Sequence, residues 1–290
     1  MTVSRVSGWD LHCHTVFSDG TKTPTELIEL AHAAGLEGVA ISDHDTIAGW
    51  QEAKAAAQAK HFPLIRGTEI TAEHLHTSVH ILAYLYDCED KGVLDMYAKM
   101  RQRRYERAQR MVERLSHDFP ITWQSVSEQV REGEATTIGR PHIADALVSA
   151  GVYKTRSDAF AGAINGKSPY YVPVDSLAAT QVIFALKQAG GVVVLAHCGA
   201  VKRNRRRMLT DDDIELFARE YGLDGLEVYH RENSREQQER LSAIAQKLGL
   251  LQTGGSDWHG EGKPNVLGEN RTDTSTVQEI IRRGRIRLIN

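Results

Sequence analysis

Histidines and carboxylates of this 290-residue chain fall in small groups that directly follow apolar segments. His12 and His14 are separated by one residue, and Asp257 and His259 repeat that spacing near the other end of the chain. In an extended segment, side chains two residues apart point to the same face, so each pair can present two ligands together. Cys13 then points to the opposite face, and we do not expect it to be a ligand.

Taken together, these positions predict a metal site with more than one ion. The nine nitrogen and oxygen donors are His12, His14, Asp19, His44, Glu69, His80, His197, Asp257 and His259. Each donor taken alone could be a structural residue. Collecting all nine at one place without a bound cation, however, would cost free energy, because buried polar and charged groups need partners. Nine donors exceed what one ion takes, so we expect two or three divalent ions. Donors without thiolates suit manganese, which we favour, or zinc or iron.

The elements that must position these donors alternate between strand and helix patterns, which is typical of βα units. Strands are predicted at residues 8–13, 38–41, 63–66, 79–84, 191–196, 225–228 and 250–253. Thr23 and Glu26 flank Pro24 with the spacing of a capping box, which predicts a helix that begins there and stops at Gly35. The donors follow strand ends, which is the face where barrel enzymes place their chemistry.

The stretch between the fourth and fifth predicted strands is mostly helical in pattern. We therefore predict an α/β barrel formed by residues 1–95 and 188–290, with residues 96–187 as a mostly helical insertion that covers the substrate. One predicted helix, 96–117, carries Arg103, Arg107, Arg110 and Arg114 at helical spacing, which we interpret as a solvated face. A second basic run, residues 202–207, could equally be solvated or meet a nucleotide phosphate.

Composition excludes several classes of protein. Hydrophobic residues make up 41% and charged residues 25%, as in ordinary globular proteins, and the net charge of −3 gives no bulk attraction to nucleic acid. No apolar run approaches the roughly 20 residues needed to cross a membrane, and the N-terminus lacks a signal core. Three scattered cysteines do not indicate a disulfide framework. We expect a cytoplasmic protein without an obligate protein partner.

The motifs that carry the donors resemble those of the polymerase and histidinol phosphatase (PHP) family. They are DLHCHT at 10–15, SDG at 18–20, ISDHDT at 41–46, GTE at 67–69, His80, AH at 196–197 and GSDWH at 255–259. The resemblance implies a distorted (β/α)7 barrel with up to three ions. It assigns His12, His14, Glu69 and Asp257 to one ion, Glu69, His80 and His197 to a second, and Asp19, His44 and His259 to a third. One departure is Cys198, where many relatives have proline.

Two insertion motifs narrow the resemblance to a stand-alone bacterial branch. IGRPHIA at 138–144 and GKSPYYVP at 166–173 are similar to those of nucleoside 3′,5′-bisphosphate phosphatases and of enzymes that act on 5′-phosphorylated RNA ends. An arginine at a helix start can grip a phosphate together with backbone N–H groups. The candidate substrate-binding residues are Arg140, His142, Lys167, Ser168 and His230.

Charge also favours a phosphate substrate. Two or three divalent ions outweigh the carboxylates of Asp19, Glu69 and Asp257, so the pocket is locally positive. A hydroxide bridging two ions would attack phosphorus, and Asp19 and His230 are candidates for assisting the leaving group. We predict hydrolysis of the 3′-phosphate of nucleoside 3′,5′-bisphosphates. Alternatives are a 5′-3′ exonuclease on short 5′-phosphorylated RNA, a histidinol phosphatase, and a noncatalytic module that accompanies a polymerase.

Overall fold

One sheet of eight strands, with helices around it, forms the body of the protein. The computed structural model describes residues 7–130, 138–173, 175–200 and 208–290. The strands are β1 (Trp9–Asp10), β2 (Gly38–Ile41), β3 (Leu64–His74), β4 (Thr77–Tyr84), β5 (Leu177–Ala178), β6 (Val192–Leu195), β7 (Gly225–Tyr229) and β8 (Leu251–Gly254). The helices are α1 (Pro24–Ala33), α2 (Trp50–Lys60), α3 (Lys91–Leu115), α4 (Trp123–Ser127), α5 (Arg140–Ser149), α6 (Arg156–Ala161), α7 (Ala179–Gln188), α8 (Asp211–Tyr221), α9 (Arg235–Leu248) and α10 (Thr274–Arg283).

The sheet follows the order β1-β2-β3-β4-β6-β7-β8 and curls into a nearly closed barrel. All neighbours along this path are parallel except β4, which is antiparallel to both β3 and β6. At the seam, the segments after β1 and β8 pair through His14 N–H to the Trp258 carbonyl (2.8 Å) and Trp258 N–H to the His12 carbonyl (3.2 Å). The predicted α/β barrel is confirmed, and β4 is the element that distorts it.

Local sequence signals correctly place the first helix. Glu26 N–H donates to Thr23 Oγ1 (3.1 Å), and Thr23 N–H donates to Glu26 Oε2 (2.8 Å), which completes the predicted capping box. The helix buries Leu27 and Ile28 against the sheet, and its start fixes the end of the loop that carries Asp19. Within the described ranges, no helix combines the length and apolar character that a membrane crossing requires.

Strand lengths differ from the prediction at two places. The third strand was expected to end at Arg66 but continues to His74, because it pairs along its length with β4 and turns through Leu75 and His76, whose φ values are 47° and 63°. The first strand was expected to span 8–13 but is regular only over Trp9–Asp10. Beyond Asp10, the chain leaves the sheet pattern to close the seam.

The insertion has its own core, but its packing limits differ from the predicted boundaries. The first half of α3, including Met96 and Met100, packs into the barrel core, whereas Met111 and Leu115 of the same helix pack into the insertion core. Helix α7 was predicted inside the insertion, yet it packs on the barrel core and buries side chains such as Ile183. A continuous helix can serve two cores with its two halves, so a boundary at residue 96 cuts through one element.

Candidate metal centre

Glu69, near the middle of β3, is the common neighbour of the predicted donors. Its Oε2 atom lies 3.3 Å from His12 Nε2, 3.2 Å from His14 Nε2 and 3.3 Å from His44 Nδ1. His12 and His14 both lie next to Glu69, whereas Cys13 packs in the hydrophobic core. Cys13 therefore points away from the two histidines, as the spacing predicted. A single buried carboxylate oxygen therefore faces three imidazoles.

The other oxygen of Glu69 faces two more histidines. Oε1 lies 2.7 Å from His80 Nδ1 and 3.0 Å from His197 Nε2. His80 reaches this position because β4 runs antiparallel to β3, and His197 follows the neighbouring strand β6. Asp257, which follows β8, places its Oδ1 atom 3.6 Å from His12 Nε2 and 3.4 Å from His14 Nε2. Strands far apart along the chain thus deliver donors to one cavity.

A second centre of donors surrounds Asp19, in the loop after the first strand. Asp19 Oδ1 lies 3.0 Å from His259 Nε2 and 3.8 Å from His14 Nδ1. Asp19 Oδ2 lies 3.9 Å from His44 Nε2. His14 and His44 stand between this centre and Glu69, so the two centres are contiguous.

The donor atoms form three groups able to hold metal ions, with all atoms of a group within 4.8 Å of one another. The groups are His12, His14, Glu69 and Asp257; His14, Asp19, His44 and His259; and His44, Glu69 and His80. The first group is the set that the resemblance assigns to one ion. The second adds His14 to the expected three residues, and the third contains His44 where the resemblance places His197.

Spacing and missing hydrogen bonds both fit shared cations. Ligand atoms about 2.1 Å from one ion lie roughly 3–3.5 Å apart, which is the spacing seen around Glu69 Oε2. Among the described residues, several buried imidazole nitrogens have no hydrogen-bond partner: His12 Nε2, both ring nitrogens of His14, His44 Nδ1 and His259 Nε2. Buried polar atoms are normally satisfied, so these nitrogens fit ligands of an ion, and His14 can offer one of its two ring nitrogens once it has lost its proton.

Electrostatics in the cavity separates the donors into charged and neutral groups. Burial would raise the pKa of Glu69, but the surrounding histidines, His44 foremost, hold it well below its usual range. Burial would lower the pKa of His14, yet Asp257 and Glu69 raise it to about 9. For His259, burial prevails and lowers the pKa to about 4. Glu69 is therefore ionised and His259 is neutral, as an ion would require, whereas His14 must lose a proton when an ion binds.

Glu227, which was not predicted, holds two donor residues in place. Its Oε1 atom accepts a hydrogen bond from His12 Nδ1 (2.9 Å), and its Oε2 atom accepts one from the backbone N–H of His197 (2.7 Å). The bond at Nδ1 leaves the Nε2 lone pair of His12 directed at Glu69 and Asp257. The available sequence signal was a carboxylate inside the otherwise apolar strand β7.

Two other buried carboxylates support the loops that carry donors. Asp43 accepts hydrogen bonds from Thr15 Oγ1 and Ser18 Oγ, both at 2.6 Å. Asp10 accepts from Ser256 Oγ at 2.6 Å and from the Gly268 N–H at 2.7 Å. These bonds fix the loops next to Asp19 and Asp257. Because the carboxylates of Asp43 and Asp10 are engaged in them, we do not include these two residues among the metal ligands.

His230 and Lys263 meet at the outer oxygen of Asp257. His230 Nε2 lies 3.8 Å from Asp257 Oδ2, and Lys263 Nζ lies 3.0 Å from the same atom. His230 Nδ1 accepts the backbone N–H of Glu232 (3.1 Å), so the ring proton is placed on Nε2, which faces the donors. His230, which was predicted to lie in the pocket, is thus a neighbour of the donor Asp257. Lys263 lies in a loop with no pattern that could have indicated it.

Arg140 and His142 lie at the start of α5, in the insertion. Arg140 begins α5, and its guanidinium stacks over the rings of Phe160 (5.2 Å) and Tyr171 (5.6 Å). Burial lowers the pKa of both Arg140 and His142, while the charge of Asp19 acts in the opposite direction on each. Both side chains therefore lie within electrostatic range of the Asp19 centre.

Arg156 ties the insertion to the donor loop. Its guanidinium binds both carboxylate oxygens of Asp145 (2.8 and 2.5 Å) and donates to the backbone carbonyl of Asp19 (2.8 Å). Arg156 was not among the predicted site residues, because only the packed structure brings α6 to the loop after the first strand. The contact sets the position of α5 and α6 relative to Asp19.

Lys167 and Ser168 are not brought to the donors. Lys167 is exposed, its backbone N–H binds Asn165 Oδ1, and Ser168 contacts the backbone of the Tyr170–Tyr171 segment. Within the described part of the chain, no contact links either residue to the donor groups. The basic run 202–207 lies outside the described residues.

One of the four arginines that were expected on a solvated face of α3 is buried. Arg107 is only 5% exposed and donates Nε–H to the Val172 carbonyl (2.6 Å), and Arg114 donates to the Tyr171 carbonyl (2.9 Å). The interpretation as a solvated face is wrong for Arg107, because Val172 packs against the helix there. Arg110 and Arg114 are exposed, as predicted.

Comparisons with known proteins agree with this geometry. A family model for the PHP domain matches residues 10–176. The 5′-3′ exoribonuclease of Escherichia coli is 30% identical over 254 residues, which cover 87% of this chain and 85% of that protein. The 3′,5′-nucleoside bisphosphate phosphatase of Chromobacterium violaceum is 29% identical over 261 residues, 88% of each chain.

A solved structure extends the similarity over nearly the whole length. An inferred metal-dependent phosphoesterase from Bifidobacterium adolescentis is 59% identical, superposes with a TM-score of 0.94, and is matched over 96% of this chain and 97% of its own. The family model covers more than half of the chain and includes Asp19, His44, Glu69 and His80. The protein described here belongs to the PHP domain family.

Proposed function

We propose that this metal-dependent phosphoesterase of the PHP family removes the 3′-phosphate from nucleoside 3′,5′-bisphosphates. The proposal is supported by Arg140 and His142 at the start of α5, because the charge of Asp19 acts on both and Arg156 of the insertion donates to the Asp19 carbonyl. A substrate phosphate at the donor groups would then lie near a second cationic position that a simple phosphatase does not need. The Chromobacterium violaceum relative, whose name states this activity, supports the same choice.

The donor groups would hold two or three divalent ions, for which we propose manganese. The residues are the nine predicted donors, with Glu69 shared between the first two ions. His14 and His44 also border the Asp19 centre. When bound, the ions supply an activated water and neutralise the charge on the phosphoryl oxygens. Glu227 orients His12, and Asp257 Oδ1 faces the donors while Lys263 contacts Oδ2.

His230 is the protein group proposed to assist the leaving oxygen. It is fully buried, and its Nε2–H is directed toward the donors because Nδ1 is already an acceptor for Glu232 N–H. This atom can donate a hydrogen bond to the oxygen that departs from phosphorus. Asp19, the other candidate, is surrounded by histidines that hold its pKa well below its usual range although burial would raise it, so it acts as an acceptor and ligand.

Arg140 and His142 are proposed to bind the substrate outside the donor groups. Arg140 stands at the first residue of α5, where its guanidinium and the helix N-terminus both favour an anion. His142 Nδ1 accepts the Gly139 N–H (3.2 Å), which holds the start of the helix in shape. Lys167 and Ser168 remain predictions without a supporting contact.

Hydrolysis of short RNA from its 5′ end is the second candidate, supported by the Escherichia coli relative with that activity. Turnover of adenosine 3′,5′-bisphosphate and of a 5′-phosphorylated trinucleotide, measured on manganese-loaded protein, separates the two candidates. We expect faster release of phosphate from the bisphosphate. Cleavage of the trinucleotide alone would replace our first choice by the exonuclease. Full metal occupancy with neither reaction would favour the noncatalytic module.

A further inference from the structure

Arg156 of the insertion contacts both loops that carry donors of the Asp19 centre. Its Nη1–H donates to the backbone carbonyl of Asp19 (2.8 Å). The same nitrogen packs against Gly262, where a Cβ would lie 2.5 Å from Nη1 and 3.5 Å from the Asp19 carbonyl oxygen. Gly262 in turn donates its N–H to the carbonyl of the donor His259 (3.1 Å). One guanidinium therefore fills the space between the Asp19 loop and the His259 loop.

Asp145 of α5 holds this guanidinium from the insertion side. Nε–H and Nη2–H of Arg156 donate to the two carboxylate oxygens of Asp145, at 2.8 and 2.5 Å, and such paired bonds fix the plane of the guanidinium. Nη1 is then left to bind the Asp19 carbonyl. Because Arg156 is also the first residue of α6, helices α5 and α6 both reach the donor loops through one oriented side chain.

The Asp19 centre is the outermost of the donor groups. The side chains of Asp19 and His44 are 14% and 12% exposed, whereas those of the first donor group, which contains Glu69 and Asp257, are at most 1% exposed. Asp19 also lies in a loop and not on a strand. The position of its carboxylate therefore depends on what holds that loop, and Arg156 is one of the groups that hold it.

The charge of Arg156 and its hydrogen bonds have opposite consequences for an ion at the Asp19 centre. Burial would lower the pKa of Arg156, but Asp145 and then Asp19 raise it, so the guanidinium lies within electrostatic range of the Asp19 carboxylate. A positive charge there repels a bound cation, and its removal alone would strengthen ion binding. Loss of the bond that holds the Asp19 loop would weaken ion binding. The sign of the change therefore separates the two roles.

We propose that Arg156 is a positioning residue that couples docking of the insertion to binding of an ion at the Asp19 centre. The ion favours the arrangement of the two loops that Arg156 contacts, and the docked insertion favours the ion in return, because coupling between two binding events is reciprocal. Helix α5, which begins at Arg140, is thus held in place when the centre is occupied. The inference rests on the ion proposed for the Asp19 centre, and not on which phosphate ester is hydrolysed.

Calorimetric titration of the metal-free protein with Mn²⁺ tests the sign of the effect. In Arg156→Met, the ion of the Asp19 centre should bind about tenfold more weakly than in the wild type, the lower end of the loss that outer partners of metal ligands cause, since Arg156 holds the backbone of Asp19 and not its carboxylate. The other ions should keep their affinity. Tighter or unchanged binding in Arg156→Met would overturn the coupling.

The variant Asp19→Asn identifies the ion concerned. It should lose the ion of the Asp19 centre, and addition of Arg156→Met to it should not change the affinity of the remaining ions, because the link between Arg156 and that ion is already without effect. If Arg156→Met weakens the remaining ions in the Asp19→Asn protein, its effect does not pass through the Asp19 centre and the inference is wrong.

Gly262→Ala tests the contact while the arginine and its charge stay in place. The added methyl group would occupy the space of Arg156 Nη1, which must then move away from the Asp19 carbonyl. Mn²⁺ binding should weaken about as much as in Arg156→Met, and Gly262→Ala should have no further effect once residue 156 is methionine. Native affinity in Gly262→Ala, or an equal effect with and without the arginine, would contradict the proposed link.

The matched control is Arg240→Met. Arg240 also joins a carboxylate to a backbone carbonyl, since it donates to Asp211 Oδ1 (2.8 Å) and to the Leu209 carbonyl (2.9 Å), but it does so between α9 and the start of α8. The variant removes the same charge and the same kinds of bond, and it should bind Mn²⁺ like the wild type. A loss as large as in Arg156→Met would show a general effect of destabilisation and overturn the inference.

Hydrogen exchange measures the reciprocal effect on the insertion and separates this inference from the proposed function. Saturating Mn²⁺ should slow amide exchange in α5 and α6 of the wild type, and this slowing should be absent in Arg156→Met. A wild type that shows the slowing but hydrolyses no bisphosphate would refute the proposed function and keep the coupling. A wild type that hydrolyses the bisphosphate while Mn²⁺ leaves exchange in α5 and α6 unchanged would keep the function and refute the coupling.

Discussion

Replacing Glu227 by glutamine should weaken metal binding by changing which nitrogen of His12 carries the proton. In the native site, one carboxylate oxygen accepts His12 Nδ1–H (2.9 Å) and the other accepts the His197 backbone N–H (2.7 Å). A backbone N–H can only donate, so the glutamine oxygen must turn to His197. The amide NH2 then faces His12 Nδ1, which must become an acceptor, and the ring proton moves to Nε2.

The size of the effect follows from this change of tautomer. His12 Nε2 is the atom directed at Glu69 (3.3 Å) and Asp257 (3.6 Å), so a proton there removes its lone pair from an ion. Substitution of an outer hydrogen-bond partner of a metal ligand typically reduces affinity by about 10- to 100-fold. That corresponds to roughly 1.4–2.7 kcal/mol. The fold should persist, because glutamine has nearly the same volume and both hydrogen bonds can re-form.

Calorimetric titration of metal-free protein with Mn²⁺ measures the predicted loss directly, and circular dichroism checks that the variant is folded. Glu239→Gln is the matched control, since Glu239 is exposed on α9 and pairs only with Arg235 (3.0 Å) among the contacts described for it. It removes the same charge far from the donors and should bind Mn²⁺ like the wild type. If Glu227→Gln binds Mn²⁺ with native affinity, the tautomer argument is wrong. Equal weakening in both variants would point to net charge instead.

Further predictions concern the donors and the substrate. Glu69→Ala and Asp257→Ala should each abolish hydrolysis of phosphate esters while the far-ultraviolet dichroism stays native; near-normal turnover by either would remove the assignment of these donors. Chelation by EDTA should stop turnover and lower the thermal midpoint, since an ion at a hundredfold excess over its Kd stabilises the fold by about 2.7 kcal/mol; an unchanged midpoint would argue against bound ions. Arg140→Ala should raise KM for a bisphosphate more than for an aryl phosphate, and equal increases would count against a second phosphate. In the metal-free protein, burial opposes protonation of His14, but Asp257 and Glu69 raise its pKa from 6.5 to about 9. The protonated His14 ring therefore contributes its full stabilisation of the fold below pH 6.5, and this stabilisation is lost as the pH rises to about 9. The difference in free energy of unfolding between wild type and His14→Gln should shrink across that pH range.

Elements with strong local signals were predictable from the sequence. Helix α1 begins at Pro24, directly after the predicted capping residue Thr23, and β2 spans the predicted Gly38–Ile41. Capping residues, apolar periodicity and glycines at helix C-termini act over a few neighbouring residues, so these signals can be recognised in the sequence alone. The same holds for the donor motifs, whose two-residue spacing already implies a shared direction.

Errors arose where pairing at a distance decides the structure. β3 continues to His74 because β4 pairs with it along its length. Its buried polar residues Thr68, Glu69 and Thr71 interrupt the hydrophobic pattern from which a strand is predicted. Arg107 was assigned to solvent because its burial depends on a segment 65 residues away, where it meets the Val172 carbonyl. The insertion boundaries differ for a related reason, since α3 contributes to two cores.

The amino-acid order alone indicated the barrel class, the chemical type of the site and nine candidate donors, because ligand chemistry and the alternation of side chains along an extended segment are local properties. Only the folded chain decided that one carboxylate, Glu69, faces five imidazoles, and that Glu227 orients His12. It also decided that Arg156 of the insertion donates to the backbone carbonyl of Asp19 in the donor loop. These arrangements depend on the closure of the barrel and the docking of the insertion, which bring together groups that no spacing along the chain relates.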